Sequence, residues 1–278
     1  MEIREKNLIT SFLKNGGSLI YSAKDLDSRH PKIQLSSFGN NYLRVMNPFM
    51  PMWWSFCMPG AGHIMIGKIA KGFLLFIWEM VINNQAHINL SIVYSMTGKF
   101  QQAKDCLDLQ WFFVYIGVYI FNVWDSYRLS TDVNQFSMLA VRERTPIRSF
   151  NLSLIEINYL QKINVWISVF WSLVTPGLGH LMIRNFIHGF YLMAWHIVCI
   201  YQSKLAEAVY FTVTGEFQQA IHVMNYQWTL FLPSIYCFAV CDCYYRTIEI
   251  NQLFKIEQAR YLKEKYATNR TGFLNELG

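Results

Sequence analysis

An internal repeat limits what this chain can fold into more than any other feature. Pro59-Gly60-Ala61-Gly62-His63 returns as Pro176-Gly177-Leu178-Gly179-His180. Gly98-Lys99-Phe100-Gln101-Gln102-Ala103 returns as Gly215-Glu216-Phe217-Gln218-Gln219-Ala220. Gln110-Trp111 returns as Gln227-Trp228, and Asp125-Ser126-Tyr127 as Asp242-Cys243-Tyr244. Each pair is 117 residues apart, without insertion. Two tandem copies of one unit, roughly 90 residues each, therefore build most of the fold. They span residues 47–136 and 164–253, with an N-terminal region 1–46, a basic linker 137–163 and a tail 254–278. Features kept in both copies serve the unit; features changed in one copy mark how the halves differ.

The composition places the unit in a membrane. Hydrophobic residues make up 53%, aromatic residues 17% and charged residues 15%, against about 25% charged residues in soluble chains. Apolar runs lie at Ile66 to Ile82 and Gln110 to Val123, and again at Ile183 to Ile200 and Gln227 to Val240. A crossing needs roughly 20 mostly apolar residues, with about 17 as the lower limit. These runs suffice when flanking Trp, Tyr and Asn residues sit at headgroup level. No cleavable signal peptide is legible after Met1, so the first span is expected to act as an uncleaved insertion signal.

Charge sets the expected topology. The net charge of +6 arises outside the spans, which fits the positive-inside rule and argues against nucleic-acid binding. Lys and Arg collect in residues 1–46, in the linker (Arg128, Arg142, Arg144, Arg148, Lys162) and in the tail from Arg246. All three regions are expected in the cytoplasm, and the near-neutral stretches 85–109 and 202–226 outside. Each unit then crosses twice, and the halves are parallel, related by a pseudo-twofold axis along the membrane normal. The segments before the Pro-Gly turns, Asn47 to Met58 and Asn164 to Thr175, are too short to span. Each is read as an interfacial or re-entrant helix, which gives an all-α integral membrane fold with both termini cytoplasmic. The alternative, three crossings and inverted halves, conflicts with the basic linker. The outer stretches Ile88 to Met96 and Leu205 to Val213 are expected to form short helices, each followed by a second at Gly-x-Phe-Gln-Gln-Ala.

The run Trp171-Ser-Leu-Val-Thr-Pro-Gly-Leu-Gly-His-Leu-Met-Ile183, with Gly189-Phe190 beyond it, resembles a pattern of small bacterial membrane proteins, the TM2-type hairpins and their relatives. Lys71-Gly72 matches the Lys-Gly pair of that pattern, and His188-Gly189 departs from it. The resemblance covers about 25 residues per repeat. It implies a helical membrane hairpin in a bacterial cytoplasmic membrane and says little about activity.

Several residues are candidates for function. Glu79 and His196 occupy equivalent positions beside Trp78 and Trp195, deep in the first span of each half. Ionisable groups at that depth are functional candidates, and the pair either carries protons, cations or substrate, or locks the halves together. His63 and His180 follow Gly-x-Gly turns. With Lys68, Lys71 and Arg184 they are candidates for an anionic lipid headgroup, or else fix the turn. Asp125 and Asp242 end the second spans and oppose the helix dipole, so each needs a cation, available from Arg128 and Arg246. Pro59, Gly60, Gly62 and Pro176, Gly177, Gly179 are read as structural positions. The six cysteines are not repeated between halves and are read as small apolar residues rather than metal ligands. No nucleotide, metal or triad motif is present, so no cofactor and no enzymatic role are expected. The expected function is a membrane scaffold or accessory subunit with lipid, protein or self-association partners. The alternative is a small transporter or channel with Glu79 and His196 at the repeat interface.

Overall fold

The computed structural model describes residues 32–36, 39–143, 147, 150–152 and 157–275. The basic residues before Lys32, and Arg144 and Arg148 of the linker, lie outside them. The chain is mostly helical, and its elements recur at the interval seen in the sequence. A hairpin of β1 (Ile33–Leu35) and β2 (Asn40–Tyr42) precedes α1 (Phe49–Cys57), α2 (Ala61–Met65), α3 (Ile69–Ala86), α4 (Ile88–Met96), α5 (Phe100–Cys106) and α6 (Leu109–Arg142). The second series is β3 (Phe150–Leu152), β4 (Ile157–Tyr159), α7 (Val165–Val174), α8 (Leu178–Met182), α9 (Phe186–Ser203), α10 (Leu205–Val213), α11 (Phe217–Val223), α12 (Tyr226–Thr229) and α13 (Phe231–Asn275).

The hairpins depart from the all-α expectation and enlarge the unit. Both are antiparallel, pairing Ile33 with Tyr42 and Phe150 with Tyr159. They lie in stretches assigned to the N-terminal region and the linker. Asn41-Tyr42-Leu43 and Asn158-Tyr159-Leu160 are the sequence signal for them. They pack on each other: Asn158 Nδ2 donates to Ser36 O and Asn40 Oδ1, both at 2.7 Å. Ile33, Leu35 and Leu160 bury themselves with Ile183, Ile250 and Leu253.

The Pro-Gly segments form tight fold-back hairpins. Gly60 sits at φ 88° and Gly177 at φ 106°, where a Cβ is strained. A Cβ on Gly60 would run into the Gly72 carbonyl oxygen, and one on Gly177 into that of Gly189. On Gly62 and Gly179 it would meet the backbone of α1 and α7 and the hydroxyls of Ser55 and Ser172. The glycines, including those of the Lys71-Gly72 and His188-Gly189 pairs, therefore let three helices approach backbone to backbone.

The short helices expected at Ile88 to Met96 and Leu205 to Val213, and at each Gly-x-Phe-Gln-Gln-Ala, are present. Gly98 (φ 76°) and Gly215 (φ 84°) turn each pair, and Asp108 and Asn225 cap the next helix through backbone N–H groups. α6 is one helix of 34 residues. In the second copy a break at Leu230 separates α12 from α13, with Pro233 in the first turn of α13, where its missing N–H costs nothing. The halves share one core, in which Phe76 and Met80 meet Leu192, Ile235 and Phe238. Phe73 stacks on Tyr191 at 3.6 Å between ring centres.

Among the described residues no single helix is long and apolar enough to cross a membrane. One bent pair, Phe100–Cys106 with Leu109–Arg142 at 87°, meets both criteria together. The apolar runs expected to span are interrupted by polar residues turned inward. α6 buries Asn122, Asp125, Ser126 and Ser130 while Phe113, Ile120, Phe121 and Trp124 are exposed.

Candidate functional site

Each fold-back hairpin delivers its histidine to the aspartate of the long helix behind it. His63 Nε2 lies 2.8 Å from Asp125 Oδ2, and His180 Nε2 3.1 Å from Asp242 Oδ2. Both imidazoles are fully buried, and the Nδ1 of each has no partner. A proton on Nε2 donated to the carboxylate fits this arrangement. The histidines are thus turned away from any lipid headgroup. The Gly60 N–H, the first of the Gly-x-Gly amides, donates to Asn122 Oδ1 at 3.0 Å. Of the two readings of these turns, a headgroup site or a histidine that fixes the hairpin, this geometry fits the second.

The two copies complete the His–Asp pair differently. In the first, Asp125 is bridged by Lys71 and by Arg128 at 2.8 Å, and these cations are 40% and 47% exposed. Lys71, Arg128 and His63 thus all contact the one Asp125 carboxylate. In the second copy His188 replaces Lys71, and the cation is Arg246, 2.6 Å from Asp242 and 4% exposed. Asp242 Oδ2 thus meets both Arg246 and His180. Arg246 also reaches His188 Nε2 at 3.2 Å and, across the molecule, the carbonyl of Ile64 at 2.9 Å. That carbonyl is at the C-terminal end of α2, where a cation suits the helix dipole. Arg44 does the same for Met65 O at 2.9 Å while pairing with Glu249 at 2.7 Å.

The remaining sequence candidates are dispersed. Lys68 is exposed. Arg184 stacks on Tyr159, 3.6 Å from the ring centre, and donates to Ile157 O at 3.1 Å. It adopts φ 59° where the first copy has Gly67, and its contacts with the hairpin offset that strain.

Glu79 and His196 do not pair, in contrast to the expected interface site. His196 Nε2 meets the Tyr236 hydroxyl at 2.9 Å. Glu79 Oε1 accepts from Asn83 Nδ2 at 2.8 Å. Asn83 Nδ2 also donates to Asn89 Oδ1 at 3.1 Å, and Gln227 ties both to the second half, its Nε2 donating to Asn83 Oδ1 at 2.9 Å and its carbonyl accepting from Asn89 Nδ2 at 3.0 Å. The Tyr115 side chain hydrogen-bonds the same carboxylate. Glu79 lines a cavity of about 220 Å³ between the halves, with Phe56, Tyr115 and Tyr119 on one side and Phe231 and Ser234 on the other. Sequence reasoning found Glu79 but not this surround, because Asn83, Asn89 and Tyr115 have no counterpart 117 residues on. The repeated Gln110-Trp111 and Gln227-Trp228 did point to Gln227.

Among the described residues no cluster of His, Cys, Asp and Glu is arranged to hold a metal ion. Comparison with protein-family models, with curated proteins and with solved structures gives no match, so the geometry above and the internal repeat carry the functional reading.

Proposed function

We propose that the protein is a multi-pass membrane protein that serves as a scaffold or accessory subunit, its two halves parallel and related by a pseudo-twofold axis along the membrane normal. The observation that carries this is an inside-out distribution of polarity. α6 and α7 bury serine, asparagine and aspartate and show Phe113, Phe121, Trp166 and Phe170 to the surroundings. An apolar exterior over polar helix contacts suits lipid, and in water it would be an aggregation surface. α3 and α9, 18 residues each, extend about 27 Å at 1.5 Å per residue, close to the roughly 30 Å hydrocarbon core. On this reading α1–α2 and α7–α8 are re-entrant hairpins entering from the cytoplasmic face.

Both His–Asp clusters act as locks between hairpin and long helix. The shared apolar core closes the halves on each other, which favours a scaffold over a channel between them. Lys68 and the basic extensions meet anionic headgroups, and a membrane or cytoplasmic protein, or a second copy, docks on the arms. The Pro-Gly-x-Gly-His pattern supports kinship with TM2-type bacterial hairpins and residence in the cytoplasmic membrane. Two experiments test this reading. Alkaline carbonate should leave the protein in the membrane pellet; release into the supernatant would contradict the membrane assignment. Proteoliposomes should show no proton or sodium flux above empty vesicles. Flux lost in Glu79→Gln would replace the scaffold by a transporter.

A further inference from the structure

An apolar groove runs along the outside of the first half between α1 and α6. Phe49, Met52 and Phe56 form one wall and Ile120, Val123 and Trp124 the other, around a volume of about 540 Å³. The Tyr119 hydroxyl ties the walls together by donating to Phe56 O at 2.6 Å, and the Phe49 and Tyr127 rings meet 5.4 Å apart. From Tyr119 to Tyr127 the groove follows α6 for about 12 Å at 1.5 Å per residue. Two cations flank the Trp124 wall. Arg128 lies over the Trp124 ring at 5.5 Å and Lys71 over the neighbouring Phe121 ring at 5.2 Å. Exposed Lys68 lies three residues before Lys71. We propose that the groove holds one acyl chain of an anionic phospholipid, whose phosphate sits against Arg128 and Lys71. The proposal rests on the membrane reading and gives it one specific lipid.

The walls select the chain. An extended peptide would bring backbone N–H and C=O groups that need partners. These walls offer carbon surface, and the Phe56 carbonyl is already taken by Tyr119. An alkyl chain needs only carbon surface. The cations select the headgroup. Arg128 Nη2 donates to Asp125 Oδ1 at 2.8 Å, Arg128 Nη1 lies 3.8 Å from Asp132, and Lys71 also bridges Asp125. Lys68, Lys71 and Arg128 therefore exceed Asp125 and Asp132 by one charge. Lys71 and Arg128 are 40% and 47% exposed and keep N–H donors to spare, so both reach a phosphate without leaving Asp125. On the proposed topology they lie toward the cytoplasmic end of α6, where basic residues meet anionic headgroups.

The second half supplies an internal control. At the equivalent positions Arg128 becomes Tyr245, Lys71 becomes His188 and Lys68 becomes Asn185, while Ile120 and Trp124 become Cys237 and Cys241. The exposed cations and the bulky wall change together. Asp242 is neutralised there by Arg246, which is 4% exposed. The lipid site thus belongs to the first half, as a feature altered in one copy of a duplicated unit should.

The test is native mass spectrometry of the purified full-length protein in detergent, titrated with dioleoylphosphatidylglycerol and, as matched control, dioleoylphosphatidylcholine. The first phosphatidylglycerol should bind at least about fivefold tighter than the first phosphatidylcholine. Arg128→Tyr, the residue type of the second half, should reduce that preference about fivefold. Ile120→Trp, at an exposed position, should fill the groove and weaken the first binding of both lipids at least about fivefold. Cys237→Trp, its counterpart in the other half, should bind as wild type. Glycerol phosphate, a headgroup without a chain, should give no saturable adduct. All variants are checked for unchanged circular dichroism. Equal affinity for the two lipids, an unchanged preference in Arg128→Tyr, unchanged binding in Ile120→Trp, or glycerol phosphate binding as tightly as the lipid would each overturn the proposal. With the protein retained in the carbonate pellet, those outcomes strike this site alone; release by carbonate strikes the membrane reading itself.

Discussion

At the scale of single residues, Arg246 holds together more of the molecule than any residue the repeat would have highlighted. It neutralises Asp242, abuts His188 and caps α2 of the other half. Removing one partner of a fully buried ionic cluster strands the rest, at about 3 kcal/mol or more. Asp242→Asn should therefore lower the melting temperature more than Asp125→Asn, whose carboxylate is also buried but whose cations Lys71 and Arg128 are 40% and 47% exposed. Equal losses, measured by thermal unfolding in detergent, would refute the contrast. The Arg128 and Arg246 partnerships were legible from their spacing on the helix. The His–Asp pairs, each 62 residues apart, were not, because only the folded hairpin brings them together.

At the scale of elements, the fold-back hairpin is held by steric fit. Gly60→Ala and Gly177→Ala each combine a left-handed φ with a collision against another helix's carbonyl. Each should cost about 3 kcal/mol, whereas Gly117→Ala, with open space around it, should leave the melting temperature near wild type. A mild effect at Gly60 would mean the helices do not approach so closely. A second recurring device clamps the chain entering each hairpin. Asn134 bonds both Met46 N (2.9 Å) and Met46 O (2.7 Å), and Asn251 bonds Ile163 N and Ile163 O, both at 2.8 Å. Asn134→Ala and Asn251→Ala should each cost about 1–2 kcal/mol, and a large effect in one half with none in the other would show that the clamps are not equivalent. The outer helices were readable because a glycine turn and an apolar run coincide there. The β-hairpins were not, since three-residue strands carry too little alternation, and their shared Asn-Tyr-Leu is brief.

At the scale of the whole molecule, the duplication gives two halves with one frame and different interiors. Architecture follows the conserved turns, caps and clamps. Inward-facing asparagine, aspartate and serine dilute the hydropathy of short apolar helices. On the proposed membrane reading, the exposed Phe, Ile and Trp above them would face lipid. The parallel arrangement is the central claim, and single-cysteine labelling tests it directly. With the six native cysteines replaced, cysteines are placed one at a time at Lys99, Glu216, Arg142 and Lys255, all exposed. A membrane-impermeant maleimide should label positions 99 and 216 in intact cells, and positions 142 and 255 only after permeabilisation. Labelling of 99 and 216 from opposite sides would show inverted halves and contradict the account.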